Sequence, residues 1–282
     1  MTNGFGKRLV VRLLLTILLT FTVLGTLGSG YAGYLLSSPK VCLSQVEKQQ
    51  AAAKIHDSVE SYFTAQYQTT AIPAETYLNV VTEDWIAERL EEQITSEYQI
   101  LNGAKLSYQL DMSDLEAALT QFFSDYAEEI NYTKDSTYEQ KLQETIDNGE
   151  KIISDATDLL RTETLQKSGY LSKLHKLRTL TFAGEGVCGV LTVLLLLLLR
   201  NRYWIGTGCF GAGALLTAGA GVIFGTGVIH RFVLKEAAVY AVVTGTMTAL
   251  TTAVLVSGIV LLALGVVLLA LHLKGQRSEK AE

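Results

Sequence analysis

Residues 237–273, AAVYAVVTGTMTALTTAVLVSGIVLLALGVVLLALHL, contain no Asp, Glu, Lys or Arg over 37 positions. One straight helix of that length would measure about 55 Å, against a bilayer hydrocarbon core of about 30 Å. The run is therefore a membrane segment with residues to spare. Its densely aliphatic part, 253–273, reads as a transmembrane helix. The part before it carries Thr244, Thr246, Thr248, Thr251 and Thr252. Residues 230–252 accordingly read as an outer loop with a helix extension, an interfacial segment or a re-entrant turn.

Working outward, three more apolar runs appear. Residues 203–229 hold no charge over 27 positions, and 179–199 end in six leucines, Leu194 to Leu199. Near the start, 13–38 are uncharged over 26 positions and follow Lys7, Arg8 and Arg12. Segment 13–36 reads as a signal anchor. The competing reading is a cleaved signal peptide with a small-residue site near Gly28, Gly30 or Ala32. Tyr34, Leu35 and Leu36 extend the apolar run past any such site and favour the anchor. A lipoprotein site at Cys42 fails, because Pro39, Lys40 and Val41 precede it.

Between the first two spans the composition changes. The chain as a whole is 49% hydrophobic and 18% charged, with a net charge of −5. Residues 40–178 hold 13 basic and 24 acidic residues, a net of −11. The remainder holds 10 basic and 4 acidic residues, a net of +6. This split excludes a single soluble globular domain, a disordered chain and a basic nucleic-acid binder, so no nucleic-acid partner is expected. The partner it implies is the lipid bilayer.

Basic residues in short flanks set orientation. Lys7, Arg8 and Arg12 place residues 1–12 in the cytoplasm. Arg200 and Arg202 place the turn 200–202 there, and Lys274, Arg277 and Lys280 do the same for the tail 274–282. Four spans, 13–36, 179–199, 203–229 and 253–273, satisfy all three in one cell-membrane topology. Residues 37–178 then lie outside. The loop with His230, Arg231, Lys235 and Glu236 also lies outside, and its positive charges run against the rule.

The acidic region is rich in helix signals. Ile55, Val59, Tyr62, Phe63 and Tyr67 follow helical spacing. Pro73 suits the first turn of a short helix. Thr82 reads as the N-cap of a helix that Asn102-Gly103 stops. Ser113 with Glu116 and Ser136 with Glu139 read as capping boxes. Leu142, Ile146, Gly149, Ile153, Ala156 and Leu160 form a heptad-like seam leading toward Leu171, Leu174 and the second span. Leu106, Tyr108 and Leu110 alternate like a strand too short to build a sheet. The fold class is thus an all-α membrane protein: four transmembrane helices with an extracytoplasmic helical-bundle domain between the first and second. In outline the plan resembles the span–bundle–span arrangement of bacterial sensory ectodomains.

Chemistry is sparse. Cys42, Cys188 and Cys209 form no Cys-x-x-Cys pair, and the two within spans read as small packing residues. Cys42 reads as a partly buried stalk residue, with a free thiol or an interchain link as alternatives. His56 and Glu60 sit one turn apart, too few ligands for structural zinc, and read as a solvated helix face. No nucleophile or phosphate-loop motif is present, and neither metal nor cofactor is expected.

Glu185 stands out. Fifteen positions before Arg200, it sits roughly 22 Å from the inner boundary, where a carboxylate is costly. It is a candidate intramembrane polar site, for proton or cation handling or for pairing with Arg231 or Lys235. The plainer reading starts the span at Gly186 and leaves Glu185 among the headgroups. Small residues supply the other signal. Gly213, Thr217, Gly221 and Gly225 are spaced by four. Gly206, Gly213, Ala220 and Gly227 are spaced by seven, and Gly25, Ser29 and Gly33 by four. Such glycine-zipper rows let helix backbones approach closely, inside the bundle or against another copy or a membrane-protein partner. The expected function is a non-enzymatic envelope protein that binds, senses or scaffolds. The alternative is a small transporter, channel or accessory subunit using Glu185 and the glycine-rich third helix.

Overall fold

The computed structural model describes residues 3–104 and 110–278. Among these, all regular structure is helical. Leu106 and Tyr108 lie outside the described residues, and Leu110 is in no strand. The chain divides into two compact units.

One unit comprises residues 38–172 together with 233–245. Its helices are α2 (Lys40–Lys48), α3 (Ala51–Thr70), α4 (Ala74–Leu78), α5 (Glu83–Leu101), α6 (Ser113–Glu129), α7 (Ser136–Thr157) and α8 (Thr162–Lys167). Side-chain caps set the starts of α5 and α7. Thr82 Oγ1 accepts from the Trp85 amide at 3.2 Å, as its position before an apolar periodic run predicts. The two expected capping boxes are each shifted. Asp135, not Ser136, caps α7, its Oδ1 accepting from the Thr137 and Tyr138 amides at 3.0 Å. Before α6, Asp111 Oδ1 accepts from the Ser113 amide at 3.1 Å, so Ser113 is already inside the helix. A carboxylate suits these places because it meets both the free amides and the positive end of the helix dipole. The same hydrogen bonds hold the Asp111 carboxyl below its ordinary pKa. Pro73 sits one residue earlier than expected, at the N-cap of α4.

The apolar stripes meet in one core. Ile55, Val59 and Phe63 of α3 face Ile86, Leu90 and Ile94 of α5, Leu115 and Leu119 of α6, and Ile146 and Ile153 of α7. Tyr62 and Tyr67, on the same sequence pattern, remain outside it. Phe63 stacks on Tyr77 of α4 with ring centroids 3.7 Å apart. Gly149 admits that pair, since a Cβ there would lie 3.3 Å from Tyr77 Cε1 and 3.7 Å from Leu119 Cδ1. Each fully buried aliphatic side chain contributes roughly 1.5–3 kcal/mol. The heptad seam serves this core and does not run on into the next span. Left-handed backbone at Arg161 (φ 49°) and Gly169 (φ 73°) breaks the chain on either side of α8.

The core is completed from a distant part of the sequence. Ala238 and Val242 are buried in the same cluster, with Val239 packed against it. A Cβ on Gly245 would meet Gln45 Oε1 at 2.6 Å. Residues 237–245 are therefore a core element of the polar domain. They also begin one continuous helix, α11 (Ala237–Ser278), so no turn interrupts 237–252.

Cys42 belongs to this core too: expected as a partly buried stalk residue, it is a free thiol at 4% exposure, more deeply buried than that reading had it. Burial, and then the nearby Glu97 carboxylate, push its thiol up to about 11. Burial pushes Tyr77 and Tyr98 to about 12. Each group is held protonated in the fold. Their contribution is thus complete below the unfolded-state values and is lost as pH rises through the folded ones. The domain is expected to lose stability between about pH 9 and 12. Denaturant midpoints that stay level from pH 8 to 11 would contradict this, as would rapid maleimide labelling of Cys42 at pH 7.

The second unit comprises residues up to Ser37, 173–232 and the chain from Thr246 on. It holds α1 (Asn3–Ser37), most of α9 (Tyr170–Leu199), α10 (Arg202–Thr226) and the rest of α11. Each of these four helices is long and apolar enough to cross a membrane. Their outer faces are apolar and exposed, as at Leu197, Leu198, Val222 and Val260. Only Arg200 and Asn201 join α9 to α10. Arg200 takes left-handed backbone (φ 41°), and Asn201 caps α10 through a bond from the Tyr203 amide at 2.8 Å.

Candidate functional site

The apolar unit is packed through its small residues. α1 and α9 run antiparallel in one register. A Cβ on Gly25 would lie 2.7 Å from Cys188 Sγ, one on Gly33 would lie 3.5 Å from Thr181 Oγ1, and one on Gly184 would lie 2.9 Å from Ser29 Oγ. The row Gly25, Ser29, Gly33 thus meets a second small-residue row on α9. Arg178 Nε donates to Ser37 Oγ at 3.0 Å and closes that end of the pair.

Glu185 lies within this register. Its Oε1 is 3.3 Å from the place a Cβ on Gly30 would take. It is seven residues along α9 from Arg178, about 10 Å. The flanking Gly184 and Gly186 do not delay the helix, which already starts at Tyr170. Among the described residues Glu185 forms no ion pair. Among the described residues the exposed Arg231 and Lys235 have no ion-pair partner. The ion-paired residue of that loop is Glu236, whose Oε1 accepts from Arg161 Nη2 at 2.8 Å.

α10 meets α11 along the seven-residue spacing. A Cβ on Gly213 would fall 2.5 Å from the Leu262 amide nitrogen and 2.7 Å from the Gly258 carbonyl oxygen. Gly206 is held 3.2 Å from the Gly265 carbonyl in the same sense, and Ala220 is buried. From the other side, Gly258 faces Thr217 and Gly265 faces Phe210. Gly258 and Gly265 are a matching seven-spaced pair that the aliphatic density of the run conceals. The four-spaced row divides. Gly213 and Thr217 pack, while Gly221 and Gly225 have no heavy atom within 4 Å of an added Cβ. Gly227 is open as well and caps α10 in left-handed backbone, φ 62°.

Two polar links were not visible in the sequence. Tyr31 Oη lies 2.5 Å from Ser257 Oγ and 3.2 Å from the Ala253 carbonyl, joining α1 to α11. Thr20 Oγ1 donates to the Gly208 carbonyl at 3.2 Å, where α10 comes close to α1.

In the polar domain, Ser58, Tyr62, Asp155, Asp158, Arg161 and Glu236 line a cleft of about 390 Å³. Its wall is shaped by the Arg161–Glu236 pair and by Asp158, whose Oδ1 accepts from the Arg161 amide at 2.7 Å. On α3, Asp57 joins His56 and Glu60, and their ligand atoms lie within 4.8 Å of one another. No family model, curated protein or solved structure matches the chain.

Proposed function

We propose that this chain is a non-enzymatic, multi-pass envelope protein that holds its acidic helical domain outside the membrane for binding, sensing or scaffolding in a membrane complex. The observation that carries the reading is the double membership of α11. Its first turns, through Ala238 and Val242, belong to the core of the polar domain, and its remainder is the fourth apolar helix. A domain made only to be tethered needs no such element. One that reports its state, or takes its shape from a membrane partner, is served by it. The orientation rests on Lys7, Arg8 and Arg12, on Arg200 and Arg202, and on the basic tail.

Orientation is tested with a cysteine that labels readily, and buried Cys42 does not. Thr133→Cys, in the exposed α6–α7 connection, should react with a membrane-impermeant maleimide added to intact cells. Asn201→Cys should react only after lysis. The reverse pattern would overturn the orientation.

The transport reading keeps one specific support: Glu185 lies in the α1–α9 interface and, among the described residues, has no cation paired to it. On that reading Glu185→Gln abolishes cation-dependent flux in proteoliposomes. Equal flux for the variant and the parent chain would remove it.

A further inference from the structure

The polar domain holds a second and larger cleft, a groove of about 700 Å³ lined by α2, the start of α3 and the first half of α5. Its apolar lining is small and aliphatic: Leu43, Val46, Ala52 and Ala53, with Ala87 of α5. Leu43, Val46 and Ala52 also pack in the domain core, so this floor is fixed by the fold. Gln50, which lines the groove as well, joins α2 to α3 in left-handed backbone at φ 51°.

The lining itself carries the charge that selects an occupant. Glu47 of α2 and Glu83, Asp84 and Glu91 of α5 line the groove against one cation, Lys40, a net of −3. Glu83 and Asp84 stand in the first turn of α5, where a carboxylate favours the helix dipole. Glu47 and Glu91 have no such role. Among the described residues, none of the four carboxylates forms an ion pair or accepts a hydrogen bond. Two cations close in sequence are directed elsewhere: Lys54 Nζ donates to the Gln49 carbonyl, and Arg89 pairs with Glu92 at 2.8 Å. The carboxylates are not gathered on one metal ion. Among the described residues, the three donors that come within 4.8 Å of one another are His56, Asp57 and Glu60, none of which lines this groove. Glu83, Ala87 and Glu91 follow one another by four on one face of α5, which puts the two glutamates about 12 Å apart along the helix with a methyl group between them. Separate negative charges over a methyl floor match a ligand of separate ammonium groups joined by methylene chains. Each ammonium meets a carboxylate through charge-assisted hydrogen bonds, and the methylenes cover the alanines. A peptide backbone needs hydrogen-bond partners of its own, and Ser44 and Gln50 are the uncharged polar side chains of the lining.

We infer that this groove binds a small linear polyamine of the spermidine type. The inference supplies a ligand for the binding role proposed above but does not rest on it. Titration reads the groove and maleimide labelling reads the orientation, so either can fail without the other.

The test is isothermal titration of the full chain in maltoside micelles at fixed ionic strength. Spermidine is the probe, and hexaamminecobalt(III) is a compact cation of the same charge. Saturable spermidine binding at one site is expected, with the compact ion weaker. Glu91→Gln should weaken spermidine about fivefold. Glu129→Gln, the same change of charge on α6 and away from the groove, should bind as the parent chain does. Ala87→Leu alters no charge but fills the space between the two glutamates, and should weaken spermidine about fivefold or more. Ala87 is exposed on its helix, so the thermal midpoint should stay in place. The inference is overturned by absence of saturable binding, by equal or tighter binding of the compact ion, by equal losses in Glu91→Gln and Glu129→Gln, or by unchanged affinity in Ala87→Leu. An acetylated and amidated trilysine, of the same charge as spermidine, that binds more tightly would assign the groove to a basic peptide and overturn the free-polyamine assignment.

Discussion

Val242→Asp should unfold the polar domain, although Val242 is separated in sequence from the 38–172 region that supplies most of that domain. Val242 is 5% exposed in a cluster with residues of α2, α3 and α5. Aspartate there either buries a charge with no partner or must take up a proton. Breaking buried electrostatics in this way costs about 3–5 kcal/mol. Against a stability of about 5–15 kcal/mol, the ratio of folded to unfolded chain would fall by about two to four orders of magnitude, enough to unfold a domain at the low end of that range. Ala237→Asp, five residues earlier, is the control. Ala237 is exposed in the first turn of α11, where a carboxylate favours the helix dipole. Limited proteolysis of the full chain should cut Val242→Asp within α3 and α5 and leave Ala237→Asp intact. Equal resistance in the two variants would remove Val242 from the core.

Gly213→Leu should be the most damaging single change in the apolar unit, and Gly221→Leu nearly silent. The two glycines occupy the same four-spaced row. At Gly213 the obstructing atoms are backbone, the Leu262 nitrogen and the Gly258 oxygen, and no rotamer change moves them aside. The helices must separate, losing the close contact that holds helices together where no hydrophobic drive exists between them. Overpacking of this kind costs about 3 kcal/mol or more. At Gly221 the added side chain enters open space. Thermal midpoints in detergent should fall sharply for the first variant and stay within a degree or two for the second. Loss of a larger assembly in Gly221→Leu, with the subunit still folded, would mean that the outer row joins copies of the chain.

The four apolar helices were legible because a span must be apolar over its whole length, and no other element imposes that. The caps were legible only to within a residue. Asp135 and Ser136 are both good N-caps, so sequence alone does not choose between them. The seam at Ile146, Gly149 and Ile153 could be read, but its end could not, because Arg161 in left-handed backbone gives no residue-type warning. Ala238 and Val242 were hidden for a different reason. An apolar helix face looks the same whether lipid or a protein core covers it, and the uncharged run gave no point of division. The glycine rows show the same limit from the other side. Spacing by four and by seven were both present, and only the position of α11 selects Gly206 and Gly213 over Gly221 and Gly225. For Glu185 the sequence supplied an approximate depth. It could not supply the neighbour, Gly30 of α1, because no rule links positions separated by a whole inserted domain.

The polar domain is built from two separated pieces of chain, 38–172 and 233–245. The most direct measurement compares residues 38–172 alone with the same residues joined by a flexible linker to 233–245, each unfolded by urea and followed by circular dichroism. The joined protein should show one cooperative transition. Residues 38–172 alone, with the surface beneath Ala238 and Val242 uncovered, should show a broad transition at markedly lower urea. Equal midpoints and equal cooperativity would contradict the account, and would return α11 to the role of a membrane helix alone.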